Sequence, residues 1–372
     1  MEHNTLHHTS QATSPASIST HTFEDEQYMK RCILLARAGL GRVAPNPLVG
    51  AVIVADGRII GEGYHACYGK AHAEVNAIAS VRQPELLKRA TIYVSLEPCA
   101  HHGKTPPCAD LIIERGIPRV VVGCMDPFSQ VAGRGIERLR AAGREVVVGV
   151  LQEQCLNLVK RFITFHTHKR PYVILKWAKS ADGFIDRLRS EGTPIQLSSP
   201  LGRMAVHKLR SEVDAILVGA RTALLDNPSL TVRDWSGKNP VRVVLTSHHT
   251  LPDGLHLLDG NTKTLIFSLP GTLPQIETKG VEHIVLDSTD HVLEQLLSIL
   301  HAKGLQTLLV EGGNRLLQSF IDRQLWDEAR VEHTPILLGE GVEAPRLPPH
   351  LPCHVGLCGG NPVVSYLRKG LF

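Results

Sequence analysis

The sequence contains His72-Ala-Glu74, followed further along the chain by Pro98-Cys99 and then by Cys108. Zinc prefers neutral imidazole and thiolate ligands in a tetrahedral arrangement, and a catalytic zinc site uses three protein ligands and keeps a fourth position for water. His72, Cys99 and Cys108 supply such a set of ligands. We therefore predict that these three residues bind one zinc ion.

Glu74 adds an acid–base group to this predicted site. It lies two residues after His72, roughly 200° around an ideal helix, so both side chains reach one site only at the N-terminal end of the helix. A carboxylate there can take a proton from an activated water and pass it to a leaving amine. This is the H-x-E and P-C pattern of the zinc nucleobase deaminases, although that pattern has two residues between its cysteines and this chain has eight. The alternative is a structural zinc site with a surface glutamate, but such sites usually close with a fourth Cys or His.

Short strands and helices alternate around this motif, from about residue 24 to residue 149. Two apolar runs meet at Asp56-Gly57, which is a strong hairpin signal. The alternation predicts an α/β layer with a mixed sheet. The predicted helices run from Asp25 to about Gly39, from about His72, from about Pro107 and over Ile136–Ala142; the predicted strands are Val49–Val54, Arg58–Gly63, Thr91–Ser95, Arg119–Cys124 and Glu145–Gly149.

A second α/β unit is predicted from Tyr172 onward. Near-continuous apolar runs such as Thr307–Val310 fit strands that are buried on both faces, and Val292–His301 fits a crossover helix. The Pro-rich stretch 345–352 is predicted to be a surface loop. The predicted strands are Tyr172–Trp177, Ala215–Val218, Val241–Thr246, Thr264–Ser268, Thr307–Val310 and Ala329–Leu338.

These patterns divide the chain into four parts. Residues 1–22 are rich in Ser, Thr and His and are predicted to form a disordered tail. Residues 23–150 carry the zinc motif, 151–170 are predicted to be a connecting helix and basic linker, and 171–372 form the second domain.

Composition narrows the class of function. The 372 residues include 40 Lys+Arg and 36 Asp+Glu, a net charge of +4 that does not suggest a nucleic-acid coat or a membrane-surface protein. The sequence has neither an apolar run of about 18 residues nor an apolar signal region near its start, so we expect a cytoplasmic protein without disulfides. The cysteines outside the zinc motif are expected to be free thiols: Cys32, Cys67, Cys124, Cys155, Cys353 and Cys358.

Further motifs give a resemblance to known families. With the zinc motif, Pro45-Asn46-Pro47 and Gly63-Tyr-His65 resemble the cytidine and guanine deaminase superfamily. The segment Cys99-Ala-His-His-Gly-Lys-Thr-Pro-Pro-Cys108, together with Asp126-Pro127 and Ala132-Gly-Arg-Gly135, is similar to the bifunctional riboflavin-biosynthesis deaminase/reductase family. The resemblance implies a cytidine-deaminase-like α/β/α domain followed by a dihydrofolate-reductase-like α/β domain.

The same resemblance implies two reactions and two cofactors. The first is zinc-dependent deamination of 2,5-diamino-6-ribosylamino-4(3H)-pyrimidinone 5′-phosphate. The second is NADPH-dependent reduction of the ribosyl group of 5-amino-6-(5-phosphoribosylamino)uracil to a ribityl chain. The implied partner is thus a small phosphorylated pyrimidine rather than a nucleic acid or a membrane, and a homo-oligomer is expected.

The resemblance also assigns residues to the deaminase substrate. Asn46 would hold the pyrimidine ring, because an amide both donates and accepts hydrogen bonds; the alternative is a turn residue between two prolines. His65, His101, His102 and Lys104 would meet the substrate or its phosphate, with a purely structural loop as the open alternative.

For the second domain, the turn Glu311-Gly312-Gly313 after an apolar strand offers backbone donors to a phosphate. Arginine suits a sugar phosphate because its guanidinium forms paired hydrogen bonds. One departure from the family is Asn227, where Asp is expected. By resemblance, the substrate would contact Arg210, Leu230, Arg233 and Glu311. By the same resemblance, NADPH would contact Lys179, Thr222, Asp226, Ser247, Gly313, Asn314, Arg315, Leu316, Leu317, Gln318 and Ser319, with Thr222 and Asp226 in a loop past the Ala215–Val218 strand.

Two other functions remain to be weighed. A nucleic-acid (tRNA) editing deaminase with an accessory domain would favour a strongly basic face and a C-x-x-C pair, neither of which is clear here. The second alternative is a zinc-stabilised interaction module without enzymatic activity. In such a module, Glu74 and the open coordination position of the zinc ion would have no function.

Overall fold

We describe the fold from a computed structural model, which covers residues 21–100, 106–126, 133–190, 193–246, 251–271 and 278–368. The predicted roles of His101, His102, Lys104 and Ser247, and almost all of the predicted tail, lie outside these ranges. No disulfide joins the eight cysteines, all of which are described. Within these ranges, no helix combines the length and the apolar character needed to cross a membrane.

The N-terminal half is built on a five-stranded mixed sheet in the order β2-β1-β3-β4-β5. Strand β1 is antiparallel to β2 and β3, whereas β3, β4 and β5 are parallel. The strands are β1 Gly50–Ala55, β2 Arg58–Tyr64, β3 Thr91–Leu96, β4 Arg119–Cys124 and β5 Glu145–Val148; the helices are α1 Phe23–Arg37, α2 Ala73–Ala79, α3 Cys108–Glu114, α4 Arg134–Ala141 and α5 Gln152–Thr167, with a short 3-10 helix at Pro84–Arg89.

Helices cover both faces of this sheet. Neighbouring residues of β1 point to opposite sides: Ile53 joins the core under α2, α3 and α4, and Val52 joins the core under α1 and α5. Burial on both faces explains why β1, β3 and β4 are almost uniformly apolar. The predicted α/β/α arrangement is confirmed.

Helix α1 begins earlier than predicted. Its N-cap is Thr22, the last residue of the predicted tail, and Asp25 occupies the third helical position of a capping box. The Asp25 carboxylate is then buried against Arg119, with an Oδ1–Nη1 distance of 2.9 Å. The helix ends at Arg37 rather than near Gly39.

The C-terminal half contains a nine-stranded sheet in the order β11-β10-β9-β8-β12-β6-β13-β16-β15. The first seven strands of this order are parallel, and β16 and β15 are antiparallel additions at one edge. The strands are β6 Tyr172–Lys179, β7 Phe184–Asp186, β8 Ala215–Gly219, β9 Val241–Thr246, β10 Thr264–Ser268, β11 Val281–Val285, β12 Thr307–Val310, β13 Glu328–His333, β14 Val342–Glu343, β15 Cys353–Cys358 and β16 Asn361–Leu367; the helices are α6 Pro200–Ser211, α7 Ala220–Asp226, α8 Val292–Ala302 and α9 Asn314–Asp322, with a 3-10 turn at His256–Leu258.

Two sequence predictions for this half need correction. The strand predicted over Ala329–Leu338 ends at His333, shortly before Pro335, which has no N–H to donate to a ladder. The prediction placed Thr222 and Asp226 in a loop, but both lie on α7, which begins directly after β8 because the segment is rich in the helix formers Ala and Leu. The predicted loop over the Pro-rich stretch 345–352 is confirmed.

Helix α5, in the segment predicted as a connection, packs into the core and reaches both halves. Cys155 and Val159 are buried beneath the five-stranded sheet. On the other side, Lys160 Nζ lies 3.0 Å from Glu328 Oε2 on β13. The connection is therefore an ordered helix that docks one half onto the other. The division at residues 22, 150 and 170 stays a prediction.

Candidate functional site

The three predicted zinc ligands converge from three separate elements. His72 precedes α2 as its N-cap, Cys99 follows β3, and Cys108 is the first residue of α3. His72 Nδ1 lies 3.6 Å from Cys99 Sγ and 3.4 Å from Cys108 Sγ, and all three ligand atoms lie within 4.8 Å of one another. Tetrahedral zinc with typical bond lengths would separate nitrogen from sulfur by roughly 3.6 Å. The residues fit a zinc ion without rearrangement.

The backbone around the cysteines favours a thiolate. The Cys108 backbone N–H donates to Cys99 Sγ over 3.3 Å. Hydrogen bonds from Cys108 and, after it, from the His72 ring lower the pKa of Cys99. A thiolate is the form that binds metal.

Glu74 shares the cavity with these ligands. His72 has extended backbone angles (φ −70°, ψ 166°) and lies just outside the helix. The separation of roughly 200° between residues two apart on a continuous helix therefore does not apply to His72 and Glu74. Glu74, in the first turn of α2, is only 3% exposed. Burial raises the pKa of Glu74 to about 7, and a cation at the three ligands would lower it again. The structure thus brings His72, Glu74, Cys99 and Cys108 together as predicted.

A cavity of about 750 Å³ opens in front of the metal ligands. Two of the predicted substrate residues face it: Asn46 Nδ2 lies 3.0 Å from His65 Nε2. His65 Nδ1 lies 3.0 Å from the Ala71 carbonyl, so this nitrogen carries the proton and Nε2 accepts from the Asn46 amide. Burial lowers the pKa of His65, which favours the neutral ring that this arrangement requires.

Several cavity residues were not predicted as site residues from the sequence. Glu97 is 4% exposed and accepts hydrogen bonds from the backbone N–H groups of residues 126, 133, 135 and 136, so it holds both ends of the Asp126–Arg134 segment at the cavity. Arg134 belongs to the motif Ala132-Gly-Arg-Gly135, and Glu97 directly precedes Pro98-Cys99. Phe162 and His166 come from α5 and carry no local signal, because only the tertiary fold brings them to the cavity.

The predicted reductase site centres on the turn after β12. Gly312 lies so close to β8 and α7 that a Cβ there would be 2.9 Å from Val218 Cγ1 and 3.1 Å from Thr222 Cγ2. The turn thus packs against Thr222 and leads into α9 at Asn314, whose buried Oδ1 has no partner among the described residues. Thr222, Gly313 and Asn314 are brought together as predicted.

Other predicted NADPH contacts are placed differently. Leu317 is buried in the core of this half. Gln318 accepts from the Arg346 backbone N–H, and Ser319 donates to the Arg315 carbonyl. Lys179 lines a separate cavity of about 540 Å³ with Trp177 and His333. Asp226 forms an ion pair with Arg189, and Leu316 packs near Gly219.

The predicted substrate residues of this half include a buried ion pair. Arg210 donates through Nε and Nη2 to both oxygens of Glu311, at 3.0 and 2.7 Å, and through Nη1 to the Thr231 carbonyl. Arg210 is therefore occupied by protein partners, whereas Arg233 is exposed. Leu230 is buried with a φ of 50°.

Lys176 extends this polar cluster and was not predicted as a site residue. Burial lowers the pKa of the Lys176 amine, and Glu311 and Glu332 oppose that shift. A lysine inside a central parallel strand was the available sequence signal, because such strands are otherwise apolar.

Comparisons with known proteins agree with both halves. Residues 22–124 match the family model of the cytidine and deoxycytidylate deaminase zinc-binding region, and residues 171–354 match that of the RibD C-terminal domain. The riboflavin biosynthesis protein RibD of Bacillus amyloliquefaciens is 42% identical over 329 residues, which cover 87% of each chain.

Solved structures give the same result over the whole length. A diaminohydroxyphosphoribosylaminopyrimidine deaminase/5-amino-6-(5-phosphoribosylamino)uracil reductase of Thermotoga maritima is similar with a TM-score of 0.82 and 40% identity, covering 92% of this chain and 98% of that one. Acinetobacter baumannii RibD has a TM-score of 0.79 and 30% identity over the same shares. Together with the zinc-ligand geometry, these likenesses show that the chain belongs to the RibD family of riboflavin biosynthesis proteins, in which a zinc-dependent deaminase domain precedes an NADPH-dependent reductase domain.

Proposed function

We infer that the chain catalyses two successive reactions on one phosphorylated pyrimidine. The first is hydrolytic deamination of 2,5-diamino-6-ribosylamino-4(3H)-pyrimidinone 5′-phosphate, and the second is reduction of the ribosyl group of the resulting aminouracil by NADPH. The observation that carries this inference is the buried Glu74, which lines one cavity with His72 and Cys99, beside the clustered ligand atoms of His72, Cys99 and Cys108. Release of ammonia from the diaminopyrimidine, followed by NADPH oxidation, tests it.

In the deaminase half, His72, Cys99 and Cys108 would hold zinc. When bound, zinc supplies Lewis-acid activation of water. Glu74 would accept the proton from that water and deliver it to the departing amino group, since it is buried within the same cavity. Asn46, fixed by His65, would orient the ring. Glu97 would hold the backbone at residues 126 and 133–136 in place through its four hydrogen bonds.

In the reductase half, we propose that the Gly312-Gly313 turn and the start of α9 bind the phosphate of NADPH, whose hydride reduces the sugar. Arg210 is paired with Glu311, so we propose that this ion pair shapes the substrate site and that Arg210 does not bind the substrate phosphate. The exposed Arg233 remains available to bind the substrate phosphate.

The tight approach at Gly312 gives a test of the proposed cofactor turn. We expect Gly312→Ala to lower the free energy of unfolding of the reductase half by about 1–3 kcal/mol, because the added methyl overpacks against Val218, and to raise the KM for NADPH. All 3 tryptophans lie in this half, so their fluorescence during urea unfolding reports on it. The matched control is Gly356→Ala on β15, where a Cβ meets nothing within 4 Å; equal behaviour of the two variants would refute this reading.

Arg233 provides a second test in this half. We expect Arg233→Ala to raise the KM for the deaminated substrate while sparing the affinity for NADPH, because a charge-assisted contact to a phosphate contributes about 1.5–3 kcal/mol. NADPH oxidation at saturating cofactor measures the effect. An unchanged substrate KM would remove Arg233 from the site.

The family match supports the class of substrate, whereas the oligomeric state and the location of the protein are proposals. A small phosphorylated substrate fits the chain, and the family match does not favour a nucleic-acid editing deaminase. We propose in addition that the protein is a cytoplasmic homo-oligomer, which sedimentation and fractionation can test.

A further inference from the structure

The wall of the deaminase cavity includes a segment that the reductase half touches. Pro45, Asn46 and Pro47 line this cavity together with Phe162 and His166 of α5. His166 also interacts with the backbone of Pro45. The segment Pro45-Asn46-Pro47, which carries the proposed ring-binding amide, is therefore close to residues of α5.

Gln306 of the reductase half reaches this segment directly. Its side-chain Nε2 donates to the Pro45 carbonyl at 2.6 Å. Gln306 lies just before β12 in the middle of the nine-stranded sheet and is only 4% exposed. Its backbone N–H donates to Asp214 Oδ2 at 3.0 Å, and its carbonyl accepts from the Tyr172 N–H at 2.7 Å. The amide of Gln306 thus projects from a point that the sheet holds in place.

The peptide unit between Pro45 and Asn46 is held at both of its edges. Its carbonyl accepts from Gln306, and the Asn46 N–H donates to the Val43 carbonyl at 2.9 Å. Because a peptide unit is planar, these two hydrogen bonds fix its rotation and hence the direction in which the Asn46 side chain leaves the backbone. None of the described residues donates a hydrogen bond to Asn46 Oδ1.

We propose that Gln306 is a positioning residue for deamination, which orients Asn46 through the Pro45 carbonyl. The deaminase site then depends on the reductase half for the orientation of one ring-binding group. This inference rests on the proposed function, and in particular on the role of Asn46.

The test replaces Gln306 by methionine, which keeps the length of the side chain and removes the donor. We expect Gln306→Met to raise the deaminase KM roughly 3- to 10-fold, the effect of one lost hydrogen bond, with kcat changed by less than about twofold. Zinc content and NADPH oxidation with the deaminated substrate should stay at the level of the wild type. If this variant does not fold, Gln306→Asn, which pulls the same amide away from Pro45, serves instead.

A matched control separates positioning from general docking of the two halves. Arg161 Nη1 on α5 donates to the Glu212 carbonyl at 2.6 Å, another hydrogen bond between the halves that does not involve Pro45. We expect Arg161→Met to keep the deaminase KM of the wild type.

Two results would overturn the proposal: an unchanged deaminase KM in a folded Gln306 variant, or an equal rise in Arg161→Met. A wild-type protein that releases no ammonia would instead refute the proposed function, and this inference with it.

Discussion

Glu74→Gln should abolish deamination while the protein keeps its zinc. Glutamine has nearly the same shape as glutamate but cannot carry a proton, and Glu74 is not one of the three residues whose ligand atoms lie within 4.8 Å of one another. A positioned acid–base group contributes about 10²- to 10⁴-fold, and the same carboxylate would act in both proton transfers. Ammonia release and zinc per chain, measured on one preparation, give the result.

The matched control for this variant is Glu62→Gln. Glu62 belongs to the same domain and pairs with Arg31 at 2.6 Å. Neither residue lines the deaminase cavity, so we expect the deaminase activity of this variant to stay within about twofold of the wild type. Glu74→Gln should also oxidise NADPH normally when it is given the deaminated substrate. Near-normal ammonia release by zinc-loaded Glu74→Gln would exclude Glu74 as the proton carrier.

Removal of the thiolates should have the second large effect. We expect about one zinc per chain in the wild type and none in Cys99→Ala/Cys108→Ala, because two of three ligands are lost. Even changes outside the ligand set cost about 10- to 100-fold in metal affinity, so this variant should fall well beyond that range. Metal analysis after dialysis measures it, and deamination should be lost together with the metal.

Cys124→Ala is the control for a lost buried thiol. Cys124 lies in the same domain, where its sulfur donates to the Ser95 carbonyl at 3.4 Å rather than facing the ligand cluster. It should retain zinc and lose only some stability. Full zinc retention by the double variant would show that the metal is bound elsewhere.

The sequence predicted the zinc centre well because its chemistry is local. His72, Cys99 and Cys108 are residue types with few alternative uses in this spacing, and the Asp56-Gly57 turn between two apolar runs is a direct hairpin signal. The turn at Gly312-Gly313 was found for the same reason. Lys176 follows four buried apolar residues of β6, and this position is the sequence signal for a polar site there.

Other features depend on contacts that no local pattern encodes. Phe162 and His166 reach the deaminase cavity only because α5 crosses from one half to the other. Arg210 has the residue type of a phosphate clamp, but its position opposite Glu311 makes it one member of a buried ion pair. Strands β15 and β16 at the sheet edge are half exposed and carry too little apolar alternation to be recognised.

We propose that one chain carries out both reactions, each at its own site. Incubation of the purified protein with the diaminopyrimidine phosphate, with and without NADPH and read by mass spectrometry, tests this most directly. We expect a product in which oxygen replaces one amino group when NADPH is absent, and a further gain of two hydrogens when NADPH is present. Glu74→Gln should give neither product from the diaminopyrimidine but should reduce the deaminated compound. An unchanged substrate, or reduction that also fails in Glu74→Gln supplied with deaminated compound, would contradict the account.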